Sequence, residues 1–245
     1  MLAMHRGSLV CQSRVQPIMK IVVAIAFILI VASLTNPRRT FDEVTLKELA
    51  GSIEFLAHNV KTTDFNDPVF KPYVVRELGG VPVAIIGQAF PYTPIANPRH
   101  LIPEWSFGID EERLQQLVDE VRAGKGGSGG AQVVVLLSHN GMAVDLKLAS
   151  RVTGIDVILG GHTHDGVPAP SVVSNAGGRT LVTNAGSNGK FLAVLDLEVR
   201  GGKVTDHRYR LLPVFANLLP EDRDMAALIE RVRAPYRERL AEPLA

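Results

Sequence analysis

Residues 131–164 read AQVVVLLSHNGMAVDLKLASRVTGIDVILGGHTH. The run AQVVVLL is rich in β-branched residues and shows no apolar–polar alternation, which predicts a strand buried on both faces. MAVDLKLASRV (142–152) predicts a short helix and IDVILGG (155–161) a second buried strand. A strand–helix–strand unit with short turns makes its strands parallel through a right-handed crossover. If the two strands are neighbours, their carboxyl ends lie ~5 Å apart. Ser138-His139 follows the first strand, and Gly160-Gly161-His162-Thr163-His164 follows the second. Three of the seven histidines therefore share one sheet edge, where open α/β sheets place their sites.

Neutral imidazole suits zinc, manganese and iron. A His-x-His loop can aim two rings at neighbouring points, chelating one ion or serving two. Gly160 and Gly161 carry no Cβ, so the backbone there can approach a ligand closely. Asp145, Asp156 and Asp165 are near in sequence and are candidates to orient the rings. The plainer alternative is that these histidines finish strands and are satisfied by turn backbone. Convergence of three behind a Gly-Gly pair favours metal binding, with His139, His162 and His164 as ligands. Downstream, NAGSNGK (184–190) offers backbone N–H groups in a Gly-rich turn. That makes Asn184, Gly186 and Asn188 candidate substrate contacts, against a plain hairpin connection. His5, His58, His100 and His207 are scattered; only His58-Asn59, at an expected strand end, is kept in view. No further catalytic residue is assigned.

The chain has 245 residues, 46% hydrophobic and 21% charged, which suits one sizeable domain with or without a small appendage. With Lys+Arg at 26 against Asp+Glu at 25, no basic excess points to nucleic acid. Cys11 is the sole cysteine, which excludes an intrachain disulfide and a thiolate metal cluster. Arg6, Arg14 and Lys20 precede the apolar run IVVAIAFILIVASL (21–34), which is shorter than the ~20 residues a spanning helix needs. The run matches the apolar core of a secretory signal; a short membrane anchor or a buried strand are the alternatives. Any membrane contact is expected through this run alone, and residues 35–50 read as a linker or surface helix. Beyond it, IEFLAHNV (53–60) predicts a strand, and YVVREL (73–78) with VPVAIIG (81–87) a hairpin through Gly79-Gly80. Residues 88–103 are proline-rich and predict an irregular loop. EERLQQLVDEVRA (111–123) places Leu114, Leu117, Val118 and Val121 on one helical stripe. TLVTNAG (180–186), KFLAVLDLEVR (190–200) and KVTDHRYRLLPV (203–214) predict strands, and AALIERVRAPYRERLA (226–241) a helix interrupted near Pro235. The whole predicts a layered α/β domain with mixed sheets.

SHNGMAVDLKLASRVTGIDVILGGHTHDGVPAP closely resembles the calcineurin-like metallophosphoesterases of the 5′-nucleotidase group, and within it the sulfur-oxidation thiosulfohydrolase (SoxB) branch. FLAHNVKTTDFNDPVFKPYVV, GVPVAIIGQAFPYTPIANPR and TNAGSNGKFLAVLDLEV carry the same resemblance, which runs from about residue 46 to 241. It implies an αββα sandwich with two metals, often manganese, and His139, His162 and His164 among the ligands. It implies hydrolysis by metal-activated water. In the thiosulfohydrolases the substrate is a thiosulfonate on a cysteine of a sulfur-carrier protein, and sulfate is released in the periplasm. In the other members it is a nucleotide phosphoester. The family's first metal motif, Asp-x-His, occurs nowhere before residue 46, and neither do its bridging aspartate and Gly-Asn/His motif. The family's C-terminal substrate-binding domain would begin about where AEPLA stands. The expectation is a partial catalytic domain at 46–241 without that C-terminal domain, behind an unrelated segment at 1–45. Three neutral imidazoles bring no charge against two divalent ions, so one metal or none is expected unless a complementing chain adds a carboxylate. An inactive remnant and a nucleotidase-like phosphoesterase stay open beside the thiosulfohydrolase.

Overall fold

Valine and isoleucine runs without polar alternation are comfortable only with apolar neighbours above and below, and two such runs form the centre of the main sheet. The structure, a computed structural model, describes residues 18–21 (backbone only), 54–125, 129–215 and 220–243. Its strands are β1 (Ile18–Ile21), β2 (Lys61–Thr62), β3 (Tyr73–Leu78), β4 (Val81–Gln88), β5 (Trp105–Ser106), β6 (Val133–Ser138), β7 (Val157–Gly160), β8 (Ser171–Asn175), β9 (Gly178–Asn184), β10 (Phe191–Arg200) and β11 (Lys203–Pro213). The helices are α1 (Thr93–Ala96), α2 (Glu111–Arg122), α3 (Met142–Arg151), α4 (Arg223–Arg233) and α5 (Arg237–Ala241). Residues 22–53, which hold most of the signal-like run and the expected linker, lie outside the described residues. Among the described residues no helix is long and apolar enough to cross a membrane.

The main sheet has the order β3-β4-β6-β7-β9-β8. Its three central junctions are parallel and its two outer ones antiparallel. The parallel register sets Gln88 beside Ser138 and Gly160 beside Asn184. The carboxyl ends of β4, β6, β7 and β9 thus form one edge, as the strand–helix–strand reading requires.

On one face of this sheet the α2 stripe of Leu114, Leu117, Val118 and Val121 packs with Ile86, Leu136 and Ile158, joined by Leu148 of α3. On the other face Val83, Val133, Val157 and Leu159 meet Leu195, Leu197 and Val199 of β10. β10 and β11 turn through Gly201 and Gly202, both at positive φ, and β1 pairs antiparallel with β10. Helix layer, six-stranded sheet and second sheet are three layers of the αββα arrangement.

Helix α2 begins at Asp110, whose carboxylate accepts from the Arg113 backbone N–H at 3.0 Å and pairs with Lys61 at 3.0 Å. Asp110→Ala is expected to cost about 1 kcal/mol by removing that cap. Equilibrium urea unfolding at neutral pH measures it.

The structure departs from expectation in three places. Residues 54–60 do not form a regular strand; Leu56 makes a single parallel bridge to Lys71. This segment lies across β4, with the His58 N–H donating to Gly87 O at 2.9 Å. Strand β8 is an addition, because SVVSN has too few apolar residues to stand out in the sequence; as an edge strand it needs few. The proline-rich loop contains α1 and a further helical turn at Arg99–Leu101.

Residues Pro213–Ala245 form a second compact unit. There α4 gives way to a tighter turn at Ala234–Tyr236 before α5. Pro235 lacks the N–H that a continuous helix would use, which explains the break.

Candidate metal centre

His139 follows β6 directly, held to its neighbouring strand by its backbone N–H donating to Gln88 O at 3.0 Å. His162 stands two residues beyond β7. Their ring centres lie 5.2 Å apart, tilted by 55°. Phe90, from the proline-rich loop, stacks on His162 at 3.9 Å and meets His139 edge-on at 5.8 Å. Two rings at this distance can turn nitrogens to one ion, given metal–nitrogen bonds of about 2 Å. Burial lowers the His139 pKa from its ordinary value, and the neighbouring charges of His162 and His164 lower it further. That favours the neutral imidazole, the form a metal binds. His162 and His164 are exposed and both adopt left-handed backbone, at φ 69° and 59°.

A buried polar network lies under His139. The Asp145 carboxylate accepts from the Ser138 hydroxyl at 2.6 Å and from the Asn140 amide at 3.1 Å. Gln88 in turn donates to Asn140 Oδ1 at 3.0 Å. Desolvation raises the Asp145 pKa to about 6 against the pull of those two donors. A Cβ on Gly160 would stand 2.8 Å from Asp145 Oδ2, so only glycine lets β7 pass over this carboxyl. Beside Gln88 is His58, whose pKa burial lowers to about 4.

The expected residues separate as follows. His139 and His162 come together; His164 points from the same loop without joining their ring contact. Among the described residues no three His, Cys, Asp or Glu side chains stand close enough to form a ready metal cluster. The imidazole pair of His139 and His162 is a donor set that a divalent cation fits. Of the three aspartates considered as orienting groups, Asp145 and Asp165 brace the histidine turns. Asp156 does not: it precedes β7, so it sits at the opposite sheet end, bonded to Arg122 at 2.6 Å and to the Val134 N–H at 2.7 Å.

Asn184 is fully buried and braces the edge, donating to Gly161 O at 3.3 Å and accepting from the Gly186 N–H at 3.2 Å. Gly186 also donates to Asp165 O at 2.8 Å, and Asn188 occupies a left-handed turn at φ 55°. Phe90 stands on the proline-rich loop; Thr163 was missed as a site residue, and nothing local signals it.

No family model matches the chain. It is 40% identical to a Thermus thermophilus sulfate thiohydrolase, SoxB, solved in complex with glycerol. The two share a TM-score of 0.73 over 83% of this chain and 36% of that one. A 5′-nucleotidase precursor, also from Thermus thermophilus, is 29% identical, with a TM-score of 0.69 over 81% of this chain and 41% of its own. Bovine 5′-nucleotidase is 30% identical over 183 residues, covering 67% of this chain and 30% of the relative.

This chain belongs to the 5′-nucleotidase group of metallophosphoesterases. It spans 30% of the length of the bovine enzyme, 36% of SoxB and 41% of the nucleotidase precursor. Membership in a metallophosphoesterase group implies a divalent metal.

Proposed function

We propose that the chain carries part of the metal centre of a SoxB-type thiosulfohydrolase, one that cleaves a thiosulfonate held on a carrier-protein cysteine and releases sulfate. The observation carrying this reading is the pairing of His139 with His162 in a chain 40% identical to a sulfate thiohydrolase, against 29% and 30% for the two nucleotidases. His139 and His162 would hold a divalent ion, manganese in this reading, and His164 stands on the same loop. Such an ion supplies Lewis-acid activation of water and stabilises developing negative charge. Phe90 shields one face of His162 from water, and the Asp145 network sets the height of His139. A carboxylate from outside the described residues, brought by a complementing chain, completes the charge balance. Export to the periplasm belongs to the same proposal, supported by Arg6, Arg14 and Lys20 ahead of the apolar run at 21–34.

The test gives the full chain, together with the N-terminal part of the Thermus thermophilus thiohydrolase as the complementing chain, Mn²⁺ and a cysteine-bound thiosulfonate on a carrier protein, with AMP in parallel, and follows sulfate and phosphate. Sulfate release is expected to dominate and to fall on the order of 100-fold in His162→Ala. Phosphate release without sulfate would move the assignment to the nucleotidases. Sulfate release untouched by His162→Ala would remove the centre from this edge.

A further inference from the structure

We propose that Thr163 is a positioning residue for the histidine pair: its hydroxyl caps, from another loop, the helix that follows His139, and so fixes His139 against His162. A helix N-terminus leaves backbone N–H groups without partners unless a side chain supplies an acceptor. The N-cap of α3 is Gly141, which has no side chain to offer. The Met142 N–H instead donates to Thr163 Oγ1 at 3.1 Å, across 21 positions of sequence. The same hydroxyl donates to Asp165 Oδ2, so its orientation is set from both sides.

The fit is mutual. Gly141 stands at φ 95°, and a Cβ there would approach Thr163 Cγ2 to 2.9 Å. The threonine methyl fills the space that glycine leaves, and the threonine oxygen does the capping that glycine cannot. The residues flanking Thr163 are His162 and His164, both in the left-handed region that β-carbon-bearing residues avoid. Such a conformation persists only where surrounding bonds over-determine it. Here those bonds are the Thr163 hydroxyl pair, the Thr163 N–H to Gly161 O at 2.9 Å, and the Gly186 N–H to Asp165 O at 2.8 Å. Of these, only the hydroxyl reaches the turn that bears His139. A structural device that merely stabilised the loop would have no reason to cross to α3.

Thr163→Val keeps the shape and removes both hydroxyl bonds; Thr163→Ser keeps the hydroxyl. One arm needs no metal: the nuclear Overhauser contact between the His139 and His162 rings in the metal-free protein. It is expected to vanish in Thr163→Val and to persist in Thr163→Ser, while the thermal midpoints of the two variants stay close. A second arm, which rests on the metal reading above, titrates Mn²⁺ by electron paramagnetic resonance. Thr163→Val is expected to bind about 10- to 100-fold more weakly than the parent and Thr163→Ser like the parent. Ring contact retained in Thr163→Val, or lost in Thr163→Ser, overturns the positioning role. If the parent itself takes up no Mn²⁺, the metal reading fails and the ring contact alone decides the role of Thr163.

Discussion

Gly87→Ala is expected to lower stability by at least about 3 kcal/mol, one of the largest single losses in the molecule. The added Cβ would lie 2.0 Å from Leu56 O and 2.3 Å from Leu56 C. Both are backbone atoms, so no rotamer change relieves the overlap. Nor can Leu56 retreat easily, because the Ala57 N–H is held by Lys71 O at 3.0 Å and the His58 N–H by Gly87 O itself. Accommodation must therefore unseat residues 54–60 from the sheet, exposing Ala57 and Val60, or buckle the end of β4. Gly80→Ala is the control. It has φ +78° but nothing within 4 Å of an added Cβ, so it carries only the conformational cost, about 1–2 kcal/mol. Urea unfolding of both variants checks the ordering. A Gly87→Ala protein as stable as Gly80→Ala would show that the crossing at Leu56 is absent in solution.

Two buried ionisable groups should pull acid stability in opposite directions. Burial lowers the His58 pKa from 6.5 to about 4, outweighing the upward pull of Gln88. Between those values the unfolded chain binds a proton that the folded chain refuses. Stability therefore falls as pH drops through this window, by roughly 3 kcal/mol. Asp145 behaves inversely, its pKa raised by burial from 3.8 to about 6. The folded chain keeps a proton there that the unfolded chain releases. That contribution is full below 3.8, fades as pH rises through 6, and also amounts to roughly 3 kcal/mol. The two trends offset each other in the parent between about pH 6 and 4. His58→Gln retains only the aspartate effect and should gain stability relative to the parent on acidification. Asp145→Asn retains only the histidine effect and should lose it. Urea midpoints at pH 7, 5 and 4 would separate them; parallel curves for the two variants would rule out one of the buried groups.

These particular residues also show what could be read from sequence. The buried parallel strands β6 and β7 were legible because an unbroken β-branched run has few other uses, and their parallel sense brought His139 and His162 to one edge. The α2 stripe was legible from its spacing. Asp156 was misplaced as a partner for the imidazoles, although its position ahead of β7 already assigns it to the far end. The segment 54–60 looked like a strand because it is apolar, but its partner is a glycine thirty residues away, and no local pattern reports a long-range close approach. Thr163 was invisible for a related reason: capping signatures are short-range, and this cap reaches α3 from a different loop. The polar network of Gln88, Asn140 and Asp145 likewise joins residues that only the parallel register makes neighbours.

The same strand order has a consequence in time. The outer pairs, β3 with β4 and β8 with β9, are hairpins whose halves meet after a short search. The junctions β4–β6 and β6–β7 are parallel and must wait for a helical crossover to wrap back over the sheet, and β7–β9, also parallel, waits for the β8–β9 hairpin to dock. Every histidine turn and bracing residue of the candidate centre hangs from those slow junctions. By that topology the hairpins are expected to close early as a newly made chain folds, and the edge that would hold a metal ion to be among the last parts to form.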